Sequence, residues 1–448
     1  MKRILLCFLL AWGVGSASAE TLILSRESVV RMALEQNEGY KSALLEKDRV
    51  RGQYLEARSG AFPRLSFDAG YQRNIDLQTS VFTMTDSEGN SETMKLKFGT
   101  PHNYSFGLSF YQPLYAAGKV GAAIKIAKYG FAYTDAAIDA ATHDIATRAD
   151  KAYLDAVSAR EAAVVFREAE RLADSNLAVV QKLYDQGQVS EFDLLRAQVQ
   201  AANTRPDRIA ADNTARLALD QLRNLLALAP ETELVLDSTI GEVAAPLVDE
   251  DALVAEALAN RPELRQSDQL VNINQKLIDI AEGGYKPTLG LSSQVAWTSM
   301  TDKFKQTTTA SEAWNRSWVV GLSLSWPIFS GFETVGKIRQ AKVDYSQSQL
   351  SRNQLSRQVR LEVQDAVGKL KEAGQRVDAL GQTVTQAERG VEIAQVRYRN
   401  GVGTQLELLD AQVALTASRV NRISARHDLV VAIANLRRAV GRPWASQW

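Results

Sequence analysis

Two stretches of nearly the same sequence decide the fold. Residues 184–199 read YDQGQVSEFDLLRAQV, and residues 398–413 read YRNGVGTQLELLDAQV. In both, a glycine three residues after the tyrosine supplies a turn, and a serine or threonine three residues further on caps a new helix. The sequence therefore predicts two helical hairpins with similar tips.

The constant spacing between matching residues extends beyond these tips, so the chain is a repeat of two long halves. The segments YQPLYAAG and SWPIFSG match through Pro113 and Pro327. The first half carries extra residues between Pro63 and Pro113, where polar residues 86–90 form the tip of a longer loop. Each half is predicted to contain short helices, two strands and a helical hairpin. The predicted repeats are residues 20–230 and residues 231–448.

The N-terminus has the pattern of a cleaved secretory signal peptide. Lys2 and Arg3 precede an apolar run at residues 4–14, which is followed by the small-residue sequence SASAE. The apolar run is too short to anchor the chain in a bilayer. We expect residues 1–19 to be removed by cleavage after Ala19.

Composition argues against several classes of function. The only cysteine, Cys7, lies in the predicted signal peptide, so the mature chain would have neither disulfides nor cysteine metal ligands. The 52 basic and 52 acidic residues leave no net charge to attract nucleic acid. His102, His143 and His427 lack the close spacing of metal ligands, and no nucleophile elbow is present. We expect no enzyme, no cofactor, no metal site and no nucleic-acid partner.

Four segments alternate apolar with small or polar residues, as strands with one apolar face do. They lie at about 64–78, 103–112, 287–299 and 317–326. A half-buried sheet in a soluble protein gives the same alternation, so both interpretations stay open on this pattern. Small polar residues such as Ser105 and Ser109 suit the lumen of a membrane barrel. Four strands cannot close a barrel and open edges are not tolerated in lipid, so the membrane interpretation requires several copies of the chain.

The helical hairpins are predicted at about 118–229 and 332–441. No proline interrupts the stretch from Gly118 to Tyr184 or the stretch from Phe332 to Tyr398. At 1.5 Å per residue each stretch could extend about 100 Å. Apolar and small residues recur at intervals of three and four, which predicts coiled-coil seams. His427 falls on one seam and is predicted to be a hydrogen-bonded packing residue.

The signal peptide, the duplicated halves, the strand pairs, the prolines at strand-to-helix junctions and the two tips together resemble the TolC-like outer membrane efflux protein family, also called outer membrane factors. The resemblance covers essentially the whole mature chain. It implies a mainly α fold with a small β part. Three copies would form a long α-helical barrel and would contribute four strands each to a twelve-stranded transmembrane β-barrel. It also implies an outer membrane location in a Gram-negative bacterium, with the helices extending into the periplasm.

The resemblance implies a passive exit duct in a tripartite efflux or type I secretion system. An inner-membrane transporter and a periplasmic adaptor would dock on the hairpin tips of the homotrimer. The alternative, from another class, is a soluble periplasmic coiled-coil adaptor. The four apolar-faced strands favour the duct, because an adaptor has no need of a lipid-facing surface. The tip positions implied in docking are Gly187, Val189, Ser190, Gly401, Gly403 and Thr404.

The resemblance also implies a pore gate near the tips. Glu407 and Asp410 match acidic residues that ring the constriction of the channel for which the family is named. Asp193 matches an acidic position after the first tip. Tyr398 matches a tyrosine that helps to tie the closed tip.

One departure from that channel changes the expected tie. Gly403 stands where a tie-forming arginine would be expected, and Arg399 is a candidate substitute.

An acidic ring also has a physical rationale of its own. Glu407 and Asp410 are three residues apart and share a helix face. Copies arranged around an axis would bring these carboxylates into a narrow pore, which would favour cations. Spacing alone favours solvated acids on a helix surface, whereas the resemblance favours a pore position.

Overall fold

The computed structural model describes residues 21–85, 91–304 and 314–445. The predicted signal peptide at residues 1–19 and the predicted polar loop tip at residues 86–90 lie outside these ranges. None of the described helices is long and apolar enough to cross a membrane.

The described strands form three separate sheets. Strands β2, β5, β7 and β8 form an antiparallel sheet in that order, β3 pairs with β4 in an antiparallel hairpin, and β1 pairs with β6 in parallel. The strands are β1 (Thr21–Leu24), β2 (Arg64–Arg73), β3 (Gln78–Thr85), β4 (Ser91–Phe98), β5 (His102–Ala116), β6 (Glu233–Leu236), β7 (Thr288–Thr301) and β8 (Asn315–Ser325).

Long helices account for most of the described chain, which confirms the predicted mainly α fold with a small β part. The longest, α3, has 67 residues and extends about 100 Å at 1.5 Å per residue. The α-helices are α1 (Arg26–Gln36), α2 (Glu38–Ser59), α3 (Lys119–Asp185), α4 (Glu191–Leu225), α5 (Glu250–Asn260), α6 (Pro262–Glu282), α7 (Glu333–Leu380), α8 (Thr383–Arg399) and α9 (Gln405–Val440).

Two features of the chain differ from the sequence prediction. The first predicted strand ends at Arg73 rather than near residue 78, and the long loop after it contains the β3–β4 hairpin. The proline-free stretch before the second tip is interrupted at Gly381 and Gln382, where α7 ends and α8 begins. Glycine has one of the weakest helix propensities, so a helix can break there without a proline.

The described chain divides into two compact units, and each unit takes residues from both halves of the sequence. One unit contains residues 21–46, 135–266 and 353–445, and the other contains residues 47–85, 91–134, 267–304 and 314–352. The repeat boundary near residue 230 is thus a division of the sequence that these units do not follow. It stays a prediction.

The first unit is held by two apolar clusters on the predicted helical seams. One cluster joins α1, α3, α4 and β6, and its buried members include Val29, Tyr153 and Leu222. The other joins α5, α7 and α9. In this second cluster the seam residues Val363, Val367 and Leu370 are at most 1% exposed, as coiled-coil packing predicts.

Two charged contacts fasten α3 inside the same unit. The fully buried Asp150 carboxylate accepts hydrogen bonds from Arg26, at 2.5 Å from Nε and 2.8 Å from Nη2. His427 Nε2 lies 2.6 Å from Asp155 Oδ1, which links α9 to α3. This hydrogen bond raises the pKa of His427 against the lowering effect of burial. His427 is therefore the hydrogen-bonded packing residue that the seam predicted.

The four-stranded sheet has one continuous apolar face. Phe67 pairs with Leu108, Leu108 with Val295, and Val295 with Trp318, so one row of apolar side chains crosses all four strands. The next row, on the opposite face, contains Asp68, Gly107, Ala296 and Ser317. At the two edges Phe67 and Trp318 are 65% and 68% exposed in the single chain. A sheet that packed this face on its own core would bury those side chains.

Gly107 is predicted to set the spacing between β5 and β7. An added Cβ at this position would lie 2.6 Å from the Val295 carbonyl oxygen and 3.1 Å from Ala296 Cα, so the strands must separate. Gly107→Ala should lower the free energy of unfolding by about 1–3 kcal/mol. Thermal unfolding followed by circular dichroism measures the loss. Gly70→Ala is the matched control, because its Cβ would meet only the Ser105 hydroxyl, at 3.2 Å. Equal losses in the two variants would contradict the role of close strand approach.

Candidate functional site at the hairpin tips

The first tip is a tight turn that closes on its own backbone. The Gly187 N–H donates to the Tyr184 carbonyl at 2.8 Å, and the Gln188 N–H donates to the Leu183 carbonyl at 2.8 Å. Gly187 has φ +69°, a left-handed conformation that glycine adopts without strain. The chain therefore reverses direction immediately after α3.

Ser190 and Asp193 form a capping box at the start of α4. The Ser190 hydroxyl accepts from the Asp193 N–H at 3.2 Å, and the Asp193 carboxylate lies 3.3 Å from the Ser190 N–H and 2.7 Å from its hydroxyl. A carboxylate at this position satisfies backbone donors and lies favourably on the helix dipole. The predicted gate residue Asp193 thus has a structural role in the turn.

The second tip keeps the backbone hydrogen bonds of the first and adds one. The Gly401 N–H donates to the Tyr398 carbonyl at 3.1 Å. The N–H groups of Val402 and Gly403 both donate to the Arg397 carbonyl, each at 3.0 Å, and Gly401 has φ +72°. Thr404 caps α9 by accepting from the Glu407 N–H at 3.3 Å. The turn therefore folds back on the last residues of α8.

The side chain of Glu407 pairs with Arg397 instead of completing a capping box. Arg397 Nε lies 3.3 Å from Glu407 Oε2, and Arg397 Nη2 donates to the Val402 carbonyl at 3.2 Å. Both side chains are about half exposed, at 49% and 47%. A pair this exposed contributes about 0–1 kcal/mol to stability, so it favours this geometry of the tip only weakly.

Close packing explains the glycine at position 403. A Cβ there would lie 2.8 Å from Arg397 Cβ and 3.1 Å from the Arg397 carbonyl carbon. No side chain fits while α8 and the turn stay in contact, so an arginine at position 403 is sterically excluded. Within the single chain the guanidinium that reaches Glu407 belongs to Arg397, and Arg399 stays a predicted substitute for the missing arginine. The closely spaced glycines of the sequence GVG (residues 401–403) are typical of a turn that packs tightly on its neighbours. They were the signal that could have indicated a contact with Arg397 at the end of the preceding helix.

Tyr398 joins the tips of the two hairpins. Its ring packs against Val180, Leu194 and Ala197 of the first hairpin. Burial raises the pKa of the Tyr398 hydroxyl, and the negative charge of Asp193 adds to the rise. The hydroxyl oxygen is buried without a hydrogen-bond partner among the described residues. Apolar packing therefore supplies the contact between the tips.

Asp410 lies in a groove between α4 and α9. The groove has a volume of about 390 Å³, and Arg196 at its edge stacks over the Phe192 ring at 5.2 Å from the centroid. The neighbouring Leu408 and Leu409 are buried, whereas Glu407 and Asp410 are exposed. Sequence reasoning missed the apolar lining of this groove, which consists of Phe192, Leu195, Val199, Leu406, Leu409 and Val413.

The described residues offer no cluster of three or more His, Cys, Asp or Glu side chains that could hold a metal ion. The tips combine turns, an exposed ion pair and an apolar groove. Such an arrangement suits contact with another protein.

Comparison with known proteins places the chain in a family of channels. The family model described as "Outer membrane efflux protein" matches residues 29–228 and 253–442. The outer membrane protein TolC of Vibrio cholerae is 21% identical over 442 residues, which cover 98% of this chain and 96% of that protein. The alkaline protease secretion protein AprF of Pseudomonas aeruginosa is 24% identical, with 91% and 82% covered. The crystal structure of the Campylobacter jejuni CmeC outer membrane channel superposes with a TM-score of 0.78 at 18% identity, covering 94% of this chain and 87% of that chain.

The chain belongs to the outer membrane efflux protein family. This confirms the predicted family and the predicted outer membrane location. The alternative of a soluble periplasmic adaptor finds no support in these matches.

Gly403→Ala is predicted to disturb the second tip without unfolding the hairpin. The added Cβ would displace Arg397 and would weaken its pairing with Glu407. The conductance of the purified channel in planar bilayers should rise. Gly390→Ala on α8 is the control, because an added Cβ there meets nothing within 4 Å. An unchanged conductance in Gly403→Ala would show that close approach at position 403 does not hold the tip closed.

Proposed function

We propose that this protein is the homotrimeric outer membrane duct of a tripartite efflux or type I secretion system. The observation that carries the proposal is the four-stranded sheet with an exposed apolar face and two unpaired edges, β2 and β8. In lipid every backbone N–H and C=O must be satisfied, so these edges must pair with other copies of the chain.

The size of the enclosed space sets a lower limit on the number of copies. Two copies would give eight strands, a barrel whose interior is just filled by side chains. Three copies give twelve strands and leave a lumen, lined by the face that contains Asp68, Gly107 and Ser317. The family resemblance supports three, and the long helices of the copies would form the helical barrel.

The hairpin tips are the proposed docking surface for a periplasmic adaptor and an inner-membrane transporter. The two turns, centred on Gly187 and Gly401, lie on neighbouring hairpins that Tyr398 holds together. Val402 is 67% exposed at the second turn. The proposed role is passive and requires no catalytic residue. The transporter therefore selects the cargo.

The proposed gate consists of Glu407 and Asp410, supported by Asp193 and Tyr398. Arg397 reduces the net negative charge of this group, because it neutralises part of the charge of Glu407 in the closed tip. Asp193 and Tyr398 set the geometry through the capping box and the packing between hairpins. Opening would separate Arg397 from Glu407 and would expose both carboxylates to the pore.

The gate proposal predicts a change in ion selectivity. Glu407→Gln combined with Asp410→Asn should weaken the preference for cations, because the negative charge at the constriction is removed. Reversal potentials in planar bilayers under a salt gradient measure the preference. The control is Glu392→Gln, an exposed acid of α8 that pairs with Arg389. Unchanged selectivity in the double variant would place these acids outside the pore.

The docking proposal predicts loss of transport with intact assembly. Val402→Glu places a charge on the exposed second turn and avoids the strain of substituting a glycine with positive φ. Efflux or secretion by cells that carry this variant should be lost, while the extracted protein keeps the mass of a trimer. Leu247→Glu, on the fully exposed residue before α5, is the control. Normal transport by Val402→Glu would argue that the tips are only turns.

A further inference from the structure

The β3–β4 hairpin stands apart from the four-stranded sheet. It leaves the sheet between β2 and β5, and its two strands pair with each other along their full length, from Gln78 opposite Phe98 to Thr85 opposite Ser91. Its neck is closed by two hydrogen bonds, from the Asn74 N–H to the Pro101 carbonyl at 2.9 Å and from Asn74 Nδ2 to the Thr100 carbonyl at 2.9 Å. The hairpin is therefore a defined element whose base is held by hydrogen bonds.

The pairing register gives the hairpin two different faces. Phe82 lies opposite Met94, and Ser80 lies opposite Leu96, so these positions share one face with Met84 and Phe98 and with the register partners of those two, Glu92 and Gln78. The other face carries Thr79, Val81, Thr83, Thr93, Lys95 and Lys97. On the apolar face the exposed fractions are 43% for Phe82, 63% for Met84, 44% for Met94, 42% for Leu96 and 50% for Phe98.

An isolated hairpin of this kind needs a partner. Two-stranded hairpins are at best marginally stable in water and require a third layer over their apolar face. Exposed apolar patches of about 300–600 Å² on a single chain are often functional surfaces. This face exposes five large apolar side chains. The Phe82 and Phe98 rings contact each other at 5.9 Å between centroids but leave the rest of the face open.

Lipid is not a suitable cover for this face. The end of the sheet from which the hairpin leaves carries a cluster of rings formed by Tyr71, His102, Tyr104 and Phe304, with Tyr71 Oη 2.8 Å from His102 Nδ1. Such amphipathic rings mark the boundary between lipid and water in membrane barrels. The hairpin follows this boundary along the chain, beyond a neck of polar residues such as Asn74 and Thr100. Its apolar face therefore meets water unless protein covers it.

The neighbouring copy of the chain is the protein best placed to provide that cover. Strand β2, which leads into the hairpin, is an outer edge of the sheet, and in the proposed barrel that edge pairs with the next copy. Each hairpin would thus rise beside a subunit boundary. Lys95 and Lys97 lie on the opposite face, so association through the apolar face does not bring these lysines together.

We propose that the β3–β4 hairpins of the three copies pack against one another through their apolar faces and form a cap at the outer end of the barrel. The inference rests on the proposed trimer. The cap narrows the opening of the barrel at that end. Cyclic symmetry makes the same face of each copy meet its neighbours around the axis.

Cysteine crosslinking distinguishes the two faces. The only native cysteine is Cys7, in the predicted signal peptide, so single substitutions give single thiols. Met94→Cys places a thiol on the apolar face, and Lys95→Cys, one residue on, places the matched control on the opposite face. Outer membranes that contain each variant are treated with a short bis-maleimide, and the products are separated under denaturing conditions. Met94→Cys should give a crosslinked dimer band, and this band should be lost in Lys95→Cys.

The mass of the untreated, detergent-extracted protein separates failure of the cap from failure of the trimer. A trimer in which Met94→Cys gives no dimer band overturns the cap and leaves the duct intact. Equal bands from both variants overturn the proposed contact through the apolar face, because random collision of the hairpins would crosslink both faces. A monomer overturns the trimer and the cap together.

A second variant tests the cap by function. Phe82→Ser with Leu96→Ser removes apolar area from the proposed contact and should raise conductance in planar bilayers. Lys95→Ser with Lys97→Ser is the control on the other face. A trimer whose conductance is unchanged by Phe82→Ser with Leu96→Ser would overturn the cap as a constriction.

Discussion

The unpaired backbone groups along the outer edges of β2 and β8 are the constraint on which the rest of the structure depends. A strand edge in water can hydrogen-bond to solvent, but an edge in lipid has no such partner. A chain with an exposed apolar sheet face and two open edges is therefore incomplete as a membrane protein by itself. Its remaining elements are consistent with assembly around an axis, because the long helices bury narrow seams and leave much of their surface available to neighbours.

The two tips reverse the chain with similar backbone turns but with different side-chain interactions. In the first tip the helix-capping carboxylate of Asp193 also satisfies the turn, so its charge is engaged locally. In the second tip Glu407 pairs with Arg397, and the N–H groups of Val402 and Gly403 donate to the Arg397 carbonyl. The duplicated sequences thus give similar backbones with different electrostatics. This difference makes the second tip the better candidate for a switch, since an exposed ion pair can be exchanged at small cost.

The two units of the chain show why a sequence repeat and a compact unit are different things. Each half supplies strands and helix segments to both units. A boundary drawn between the halves also divides the first apolar cluster, which contains Leu222 from one half and Leu236 from the other. Duplication of this kind gives neighbouring hairpins matching lengths, which allows Tyr398 of one to pack on Leu194 of the other.

The sequence by itself determined the features that depend on local periodicity and on turn chemistry. Alternation of period two located the four strands of the main sheet, intervals of three and four located the seams at Val363 and Val367, and the glycines with their capping residues located both tips. The interruption at Gly381, the β3–β4 hairpin and the pairing of Arg397 with Glu407 were decided only by the tertiary structure. Each of these depends on which groups meet in space: a glycine is compatible with a helix or a break, a polar loop is compatible with a hairpin, and ten residues separate Arg397 from Glu407.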